Sequence, residues 1–183
     1  MKSKKKQDVI DTATKLFSEH GFHTVGVDLI IKKSNVARMT MYRNFSGKDD
    51  LVKEVLIQRN NDIISEIKKI TENARKAKEK IKLIFDWYEK WFKSDDFYGC
   101  LFERAIADFG KDTTIVDIAV GHKEAIQKII FEILLSEYNN DVSIVLSKKI
   151  TMVINGAISN AHIFNDPKSA KIAWGIVDAL IKE

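Results

Sequence analysis

The chain has one cysteine, one proline and eight glycines in 183 residues. Cys100 has no partner for an internal disulfide, so no covalent staple is expected and a reducing compartment suits the chain. Its neighbours Leu101 and Phe102 make packing the plainer role for this thiol, with redox sensing as the alternative. So few prolines and glycines leave little of the punctuation that sheets and tight turns need, which points to an all-α fold. No long uncharged apolar run and no secretory leader stand in the sequence, so neither a membrane span nor export is expected, and the cytoplasm is the expected location. Catalytic signatures are missing as well: there is no GxSxG elbow, glycine-rich phosphate loop, HExxH or CxxC, and the four histidines stand far apart. Asp95 and Asp96 adjoin, but sequence neighbours point in different directions and read as a solvated turn. Neither an enzyme nor a metal or cofactor is therefore expected.

What is present begins with 45% apolar residues, enough to bury a core without disulfide or metal at this length. Charge is unevenly placed. Residues 1–50 hold ten Lys/Arg against six Asp/Glu, whereas residues 51–183 hold twenty of each. A basic N-terminal module beside a neutral body suits attraction to phosphate, since each neutralised phosphate releases condensed counterions. Lys2, Lys4, Lys5 and Lys6 form a basic arm, to be weighed against a plain solvated tail.

Residues 26–45, GVDLIIKKSNVARMTMYRNF, predict a helix, a tight turn and a short second helix. Val27, Ile30 and Ile31 have helical spacing toward a core, and the first helix should end near Ser34. Asn35 is the expected turn residue, because Asn tolerates positive φ better than most residues with a side chain. Val36 should plug the angle between the helices. Met41 and Phe45, at i and i+4, point inward, which leaves Arg38, Met39, Tyr42 and Arg43 on the outer face, where a major groove could be read.

Three segments then resemble the tetracycline-repressor (TetR) family of bacterial transcriptional regulators: ATKLFSEHGFHTVGVDLI (13–30), NVARMTMYRNF with SGKDDLV (35–52), and INGAISNAHIFNDPKSAKIAWGIVDALI (154–181). Departures from the family pattern are Asn35 where Gly is frequent, Ala37 for Ser or Thr, and Asn44 for His; they put a hydroxyl cap and one phosphate contact in question. The resemblance implies a helix-turn-helix DNA-binding domain over 1–47 and a helical ligand-binding and dimerisation domain over 48–183. It implies DNA contacts at Thr24, Ala37, Arg38, Met39, Thr40, Tyr42, Arg43, Asn44 and Lys48. Among them Tyr42, Arg43, Arg38 and Met39 suit the bases, and Thr24, Thr40, Asn44 and Lys48 the phosphates.

Nine helices are expected: Lys5 to His20, the reading pair, Lys48 to about Glu72, one after the charged ENARKAKEK, then Phe97 to Phe109, Thr113 to Tyr138, Val142 to Phe164, and Pro167 to Lys182, the last capped by Asp166. The fourth is long enough to link the reading head to the body. Phe85, Trp87, Tyr88, Trp91 and Phe92 fall within eight residues, so the fifth helix must be surrounded. The family implies a small-molecule pocket there, with Phe102, Phe109, Phe131, Met152, Asn155, Ile158 and His162 as further lining residues; plain core is the competing role for each aromatic. Ile150, Val153, Gly156, Ala157 and Ala161, with Ala170, Ala173, Trp174, Val177, Leu180 and Ile181, are expected to form a four-helix homodimer interface, or else an internal core. The expected protein is a homodimeric, ligand-responsive regulator of palindromic DNA, most simply a repressor. The alternatives are an activator or architectural DNA binder without an effector, and a helical enzyme.

Overall fold

The computed structural model describes residues 4–110 and 113–181, and among these it contains nine α-helices and no strand. They are α1 (Lys4–His20), α2 (Val27–Ser34), α3 (Arg38–Asn44), α4 (Lys48–Thr71), α5 (Ala77–Phe92), α6 (Leu101–Asp108), α7 (Thr113–Leu134), α8 (Asn140–Phe164) and α9 (Ser169–Leu180). Lys2 and Lys182 lie outside the described residues.

The helices sort into two compact units, one of residues 1–61 with 101–122 and the other of residues 62–100 with 123–183. The expected division after residue 47 does not coincide with these units. The first part of α4, all of α6 and the first part of α7 group with the N-terminal helices, and no local sequence feature marks a long-range association of that kind.

In the first unit, α1 buries Val9, Ile10, Ala13, Leu16 and Phe17 on one face and packs on α2 and α3. It stops at Gly21, whose φ of 83° carries the chain out of the helix while its N–H still donates to the Phe17 carbonyl at 3.0 Å. Phe22 and Val25 follow, both fully buried, and lead into α2. Leu51, Val52, Val55 and Leu56 of α4, spaced to share one face of the helix, are fully buried and close this core.

In the second unit, α9 packs on both α8 and α5. Lys78 of α5 pairs with Asp178 of α9 at 3.1 Å, and Asn160 of α8 donates to the Ser169 hydroxyl at 2.8 Å. The α5 N-terminus is met by Glu137, whose carboxylate accepts from the Ala77 N–H at 2.8 Å. By length and composition α8 could cross a membrane. Its buried Ser147 and Thr151, bonded to backbone carbonyls, and its packing on α5 and α9 are those of a core helix.

Helix ends depart from expectation where side chains and turns intervene. The sixth helix begins at Leu101, not Phe97, because Gly99 takes a φ of 81°, where a Cβ would lie 3.0 Å from the His162 ring. The seventh ends at Leu134 rather than Tyr138, and the eighth begins at Asn140, with the Asn139 side chain accepting from the Val142 N–H. Asp166 and Pro167 form a turn ahead of the last helix: the Asp166 carboxylate accepts from the Lys168 N–H at 2.9 Å, and the helix starts at Ser169.

Candidate nucleic-acid interface

The pair α2 and α3 is set by one backbone turn and four buried side chains. Asn35 adopts φ 53° and ψ 37°, the left-handed conformation the sequence predicts for it. Ile30, Val36, Met41 and Phe45 are buried, whereas Val27 and Ile31 are half-buried at the edge of the core. α3 starts without a side-chain cap, as Ala37 dictates, and its first turn is closed by the Thr40 and Met41 N–H groups donating to the Ala37 carbonyl. The α4 start is tied by Asp50, whose carboxylate accepts from the Ser46 N–H at 2.9 Å.

With Met41 and Phe45 turned in, the opposite face of α3 is open. Met39 is 82% exposed, and Arg38, Tyr42 and Arg43 are exposed beside it. Ala37 and Thr24 are exposed too, while Thr40, Asn44 and Lys48 are half-buried. Two of these side chains already have local partners. The Arg38 guanidinium donates to Asp28 of α2 at 2.6 Å, a bridge across the turn, and the Asn44 amide donates to the Thr40 carbonyl at 2.7 Å. Arg43 has no ion pair among the described residues, so it is the guanidinium of α3 with all its donors available.

The basic arm is partly used internally as well. Lys6 pairs with Glu54 at 3.0 Å and lies over the Phe45 ring at 5.4 Å, so it braces α1 on α4. Lys4 and Lys5 are exposed.

The residues expected around a ligand are divided between the two units. In the first, Phe102 stacks on His122 with centroids 3.7 Å apart, and Phe109 lies against Phe22 and His23. In the second, Trp87, Tyr88 and Trp91 form a chain of ring contacts with Phe92 and Phe97, which ends on His162. Trp87 donates its indole N–H to Glu66 at 2.8 Å. Ile158 is buried, Phe131 is half-buried, and Asn155 accepts from the Lys123 ammonium at 2.8 Å. Met152 is 73% exposed, which corrects its expected place in a cavity lining. Phe85 and Trp174 do share a cavity of about 460 Å³ between α5 and α9, together with Asp86, Glu89, Lys82 and Lys171. Here Lys93 donates to Glu89 and holds its carboxyl below the usual range; Lys82 and Lys171 act in the same direction and partial burial against it.

The expected dimer residues need the clearest correction. Ile150, Ala157 and Ala161 of α8 and Ala170, Ala173, Val177 and Ile181 at α9 are buried inside the protomer, in which α5, α8 and α9 pack on one another. Val153, Trp174 and Leu180 are half-buried, and only Gly156 of that set is exposed. Periodicity finds the faces of a helix but not which face meets its own chain. The outer faces carry exposed Met152, Ile163 and Phe164 on α8 and Ile172 and Ile176 on α9.

Residues 9–55 match the family profile described as bacterial regulatory proteins, tetR family. The chain is 29% identical over 83 residues to the fatty acid metabolism regulator protein of Bacillus subtilis (strain 168), a stretch covering 45% of this chain and 43% of that protein. Less than half of that relative is therefore spanned. Among solved structures, SCO4454, a TetR-family transcriptional regulator from Streptomyces coelicolor, is similar with a TM-score of 0.90 and 25% identity, over 97% of this chain and 94% of that one. A TetR transcriptional regulator from Legionella pneumophila has a TM-score of 0.87 and 24% identity over the full length of both chains.

Proposed function

Because the chain is a TetR-family transcriptional regulator by its N-terminal segment and its fold, we propose that it acts as a sequence-specific DNA-binding homodimer in the cytoplasm, most simply a repressor released by a small molecule. The observation that carries the DNA reading is α3, a short helix anchored by buried Met41 and by Phe45 at its C-cap, with an exposed face of Met39, Tyr42 and Arg43, the last without an ion pair among the described residues. Such a face offers a guanidinium for guanine and a thioether for a thymine methyl, while Thr24, Thr40 and Lys48 flank it toward phosphate.

Dimerisation is supported by the outer stripe of α8 and α9. Met152 and Ile163 share one exposed face of α8 by helical spacing, Ile172 and Ile176 share one of α9, and exposed Gly156 has nothing within 4 Å of where its Cβ would stand. A second copy covering this stripe would complete a four-helix interface and bring two reading heads to one operator. One seven-residue reading helix touches too few bases to be selective alone.

The aromatic chain of α5 supports an effector site. A ligand releases DNA only by binding the non-binding conformation more tightly, so it must contact elements that differ between the two. The fatty-acid relative named above makes fatty acids and their derivatives the first effectors to try.

Selection of duplexes from a random library by the full chain tests the DNA reading. The expected result is an inverted repeat with half-sites about 34–36 Å apart, one turn of the double helix. Failure to enrich any sequence would refute it. Titrating fatty acids into the complex should quench Trp87 or Trp91 fluorescence and lower affinity for the selected duplex together. If a broad screen of apolar and cationic compounds changes neither signal, a regulator without an effector is the better reading.

A further inference from the structure

Within the first unit, α6 and the residue after it meet the end of α1 and the loop that follows it through three separate contacts. The Arg104 Nη1 group donates to the carbonyls of Ser18 at 2.8 Å and Phe17 at 3.1 Å. His23 donates from Nε2 to the Asp108 carbonyl at 3.1 Å. Phe109, just past α6, sets its ring against Phe22 at 5.3 Å and His23 at 5.4 Å. The Arg104 side chain supplies one contact and the free carbonyl of Asp108, at the C-terminal end of α6, supplies another.

The last carbonyls of a helix lack partners inside it, and a cation there also meets the negative end of the helix dipole. α1 does not need α6 for this, however. Gly21 already closes its last turn through the Phe17 carbonyl, and the half-buried Ser18 is followed by exposed Glu19 and His20, so water can reach this end. What a guanidinium arriving from 86 residues away adds is placement. Only residues 21–26 separate the end of α1 from α2, and two of them, Phe22 and Val25, are fully buried. Fixing the α1 end and the Phe22 ring therefore fixes where α2 begins, and α3 follows across a four-point core.

We infer that Arg104 is a positioning residue for DNA reading: clamped on the last turn of α1, it holds the α2–α3 pair in its binding arrangement, and release of this clamp detunes the reading head. The inference rests on the proposed DNA-binding function. It makes α6 part of the reading head.

The test uses the full chain and the library-selected duplex. Arg104→Met keeps the apolar stem and removes every donor; Arg104→Lys keeps a cation that can reach one carbonyl; His23→Phe keeps the ring contact with Phe109 and removes the bond to Asp108. Arg104→Met is expected to melt as a folded protein, to lose at least tenfold in affinity for the selected duplex, and to change by less than threefold on random duplex, whose phosphate contacts remain. Arg104→Lys should recover most of the loss, and His23→Phe should show a smaller loss of the same kind, which keeps the test decisive if Arg104→Met does not fold. An unchanged ratio of selected to random affinity in these variants overturns the inference, as does an equal loss on both duplexes. If the wild type selects no duplex, the DNA-binding reading has failed instead.

Discussion

Replacing Arg43 and Arg38 one at a time should separate two arginines that look equivalent in sequence. Both lie on the exposed face of α3, but Arg38 is held by Asp28 at 2.6 Å, with side chains 61% and 77% exposed. An ion pair that exposed contributes about 0–1 kcal/mol, so it is a weak restraint, yet it points Arg38 along the protein and neutralises it. Arg43 has no such partner among the described residues. Paired bidentately with a guanine it should contribute about 1–3 kcal/mol per half-site, which is about 5- to 150-fold. Arg43→Ala should therefore lose that much on the selected duplex at each half-site, relax preference at one base position, and lose less on random duplex, where only the charge is missed. Arg38→Ala should lose less, with no single base position affected. Asp28→Asn should raise affinity for random duplex and steepen its salt dependence by about one unit, because it removes an anion and releases a cation at the DNA face. Fluorescence anisotropy against both duplexes over a range of salt reads all three. Equal losses for Arg43→Ala on selected and random duplexes, or an unaltered base preference, would refute the assignment.

Ile172→Asp and Gly156→Leu act on the outer stripe of α8 and α9 and should give folded monomers by sedimentation with most operator affinity lost; Val177→Asp, whose side chain is fully buried, should instead unfold the protomer. A wild-type monomer at micromolar concentration would refute the dimer. Asn35→Gly should be neutral or slightly stabilising, and Asn35→Val should cost about 1–3 kcal/mol by thermal melting, because a β-branched residue resists a φ of 53°; equal melting of the two would contradict this. Glu89 has its carboxyl lowered below the usual 4.5, chiefly by the bond from Lys93, so the pair stabilises fully above that value and loses its effect as pH falls through the lowered one. The melting deficit of Lys93→Met should be constant from neutral pH to about 5 and shrink in more acid solution; a deficit independent of pH would exclude the pair as its source.

The sequence by itself determined the parts of this protein that rest on local periodicity and backbone preference. Few glycines and prolines meant helices; Met41 and Phe45 four apart fixed which side of α3 is buried; Asn35 marked the positive-φ turn; the lysines and arginines of the first fifty residues marked the basic module. Each follows from side-chain spacing on a helix or from the steric limits on φ, which act within a few residues. The tertiary structure alone decided which apolar face of α8 and α9 meets the protomer. Both faces are apolar, so the periodicity that put Ile150, Ala157 and Val177 at an expected interface fits a protomer core equally well, and it is Met152 and Ile172 that stand exposed. It alone paired Arg38 with Asp28 and brought Arg104 to the end of α1, because contacts between residues 10 or 86 positions apart depend on how helices pack and leave no periodic trace in the chain. For the same reason a division at residue 47 followed the motif while the compact unit followed the packing, and α6 went with the helices it touches.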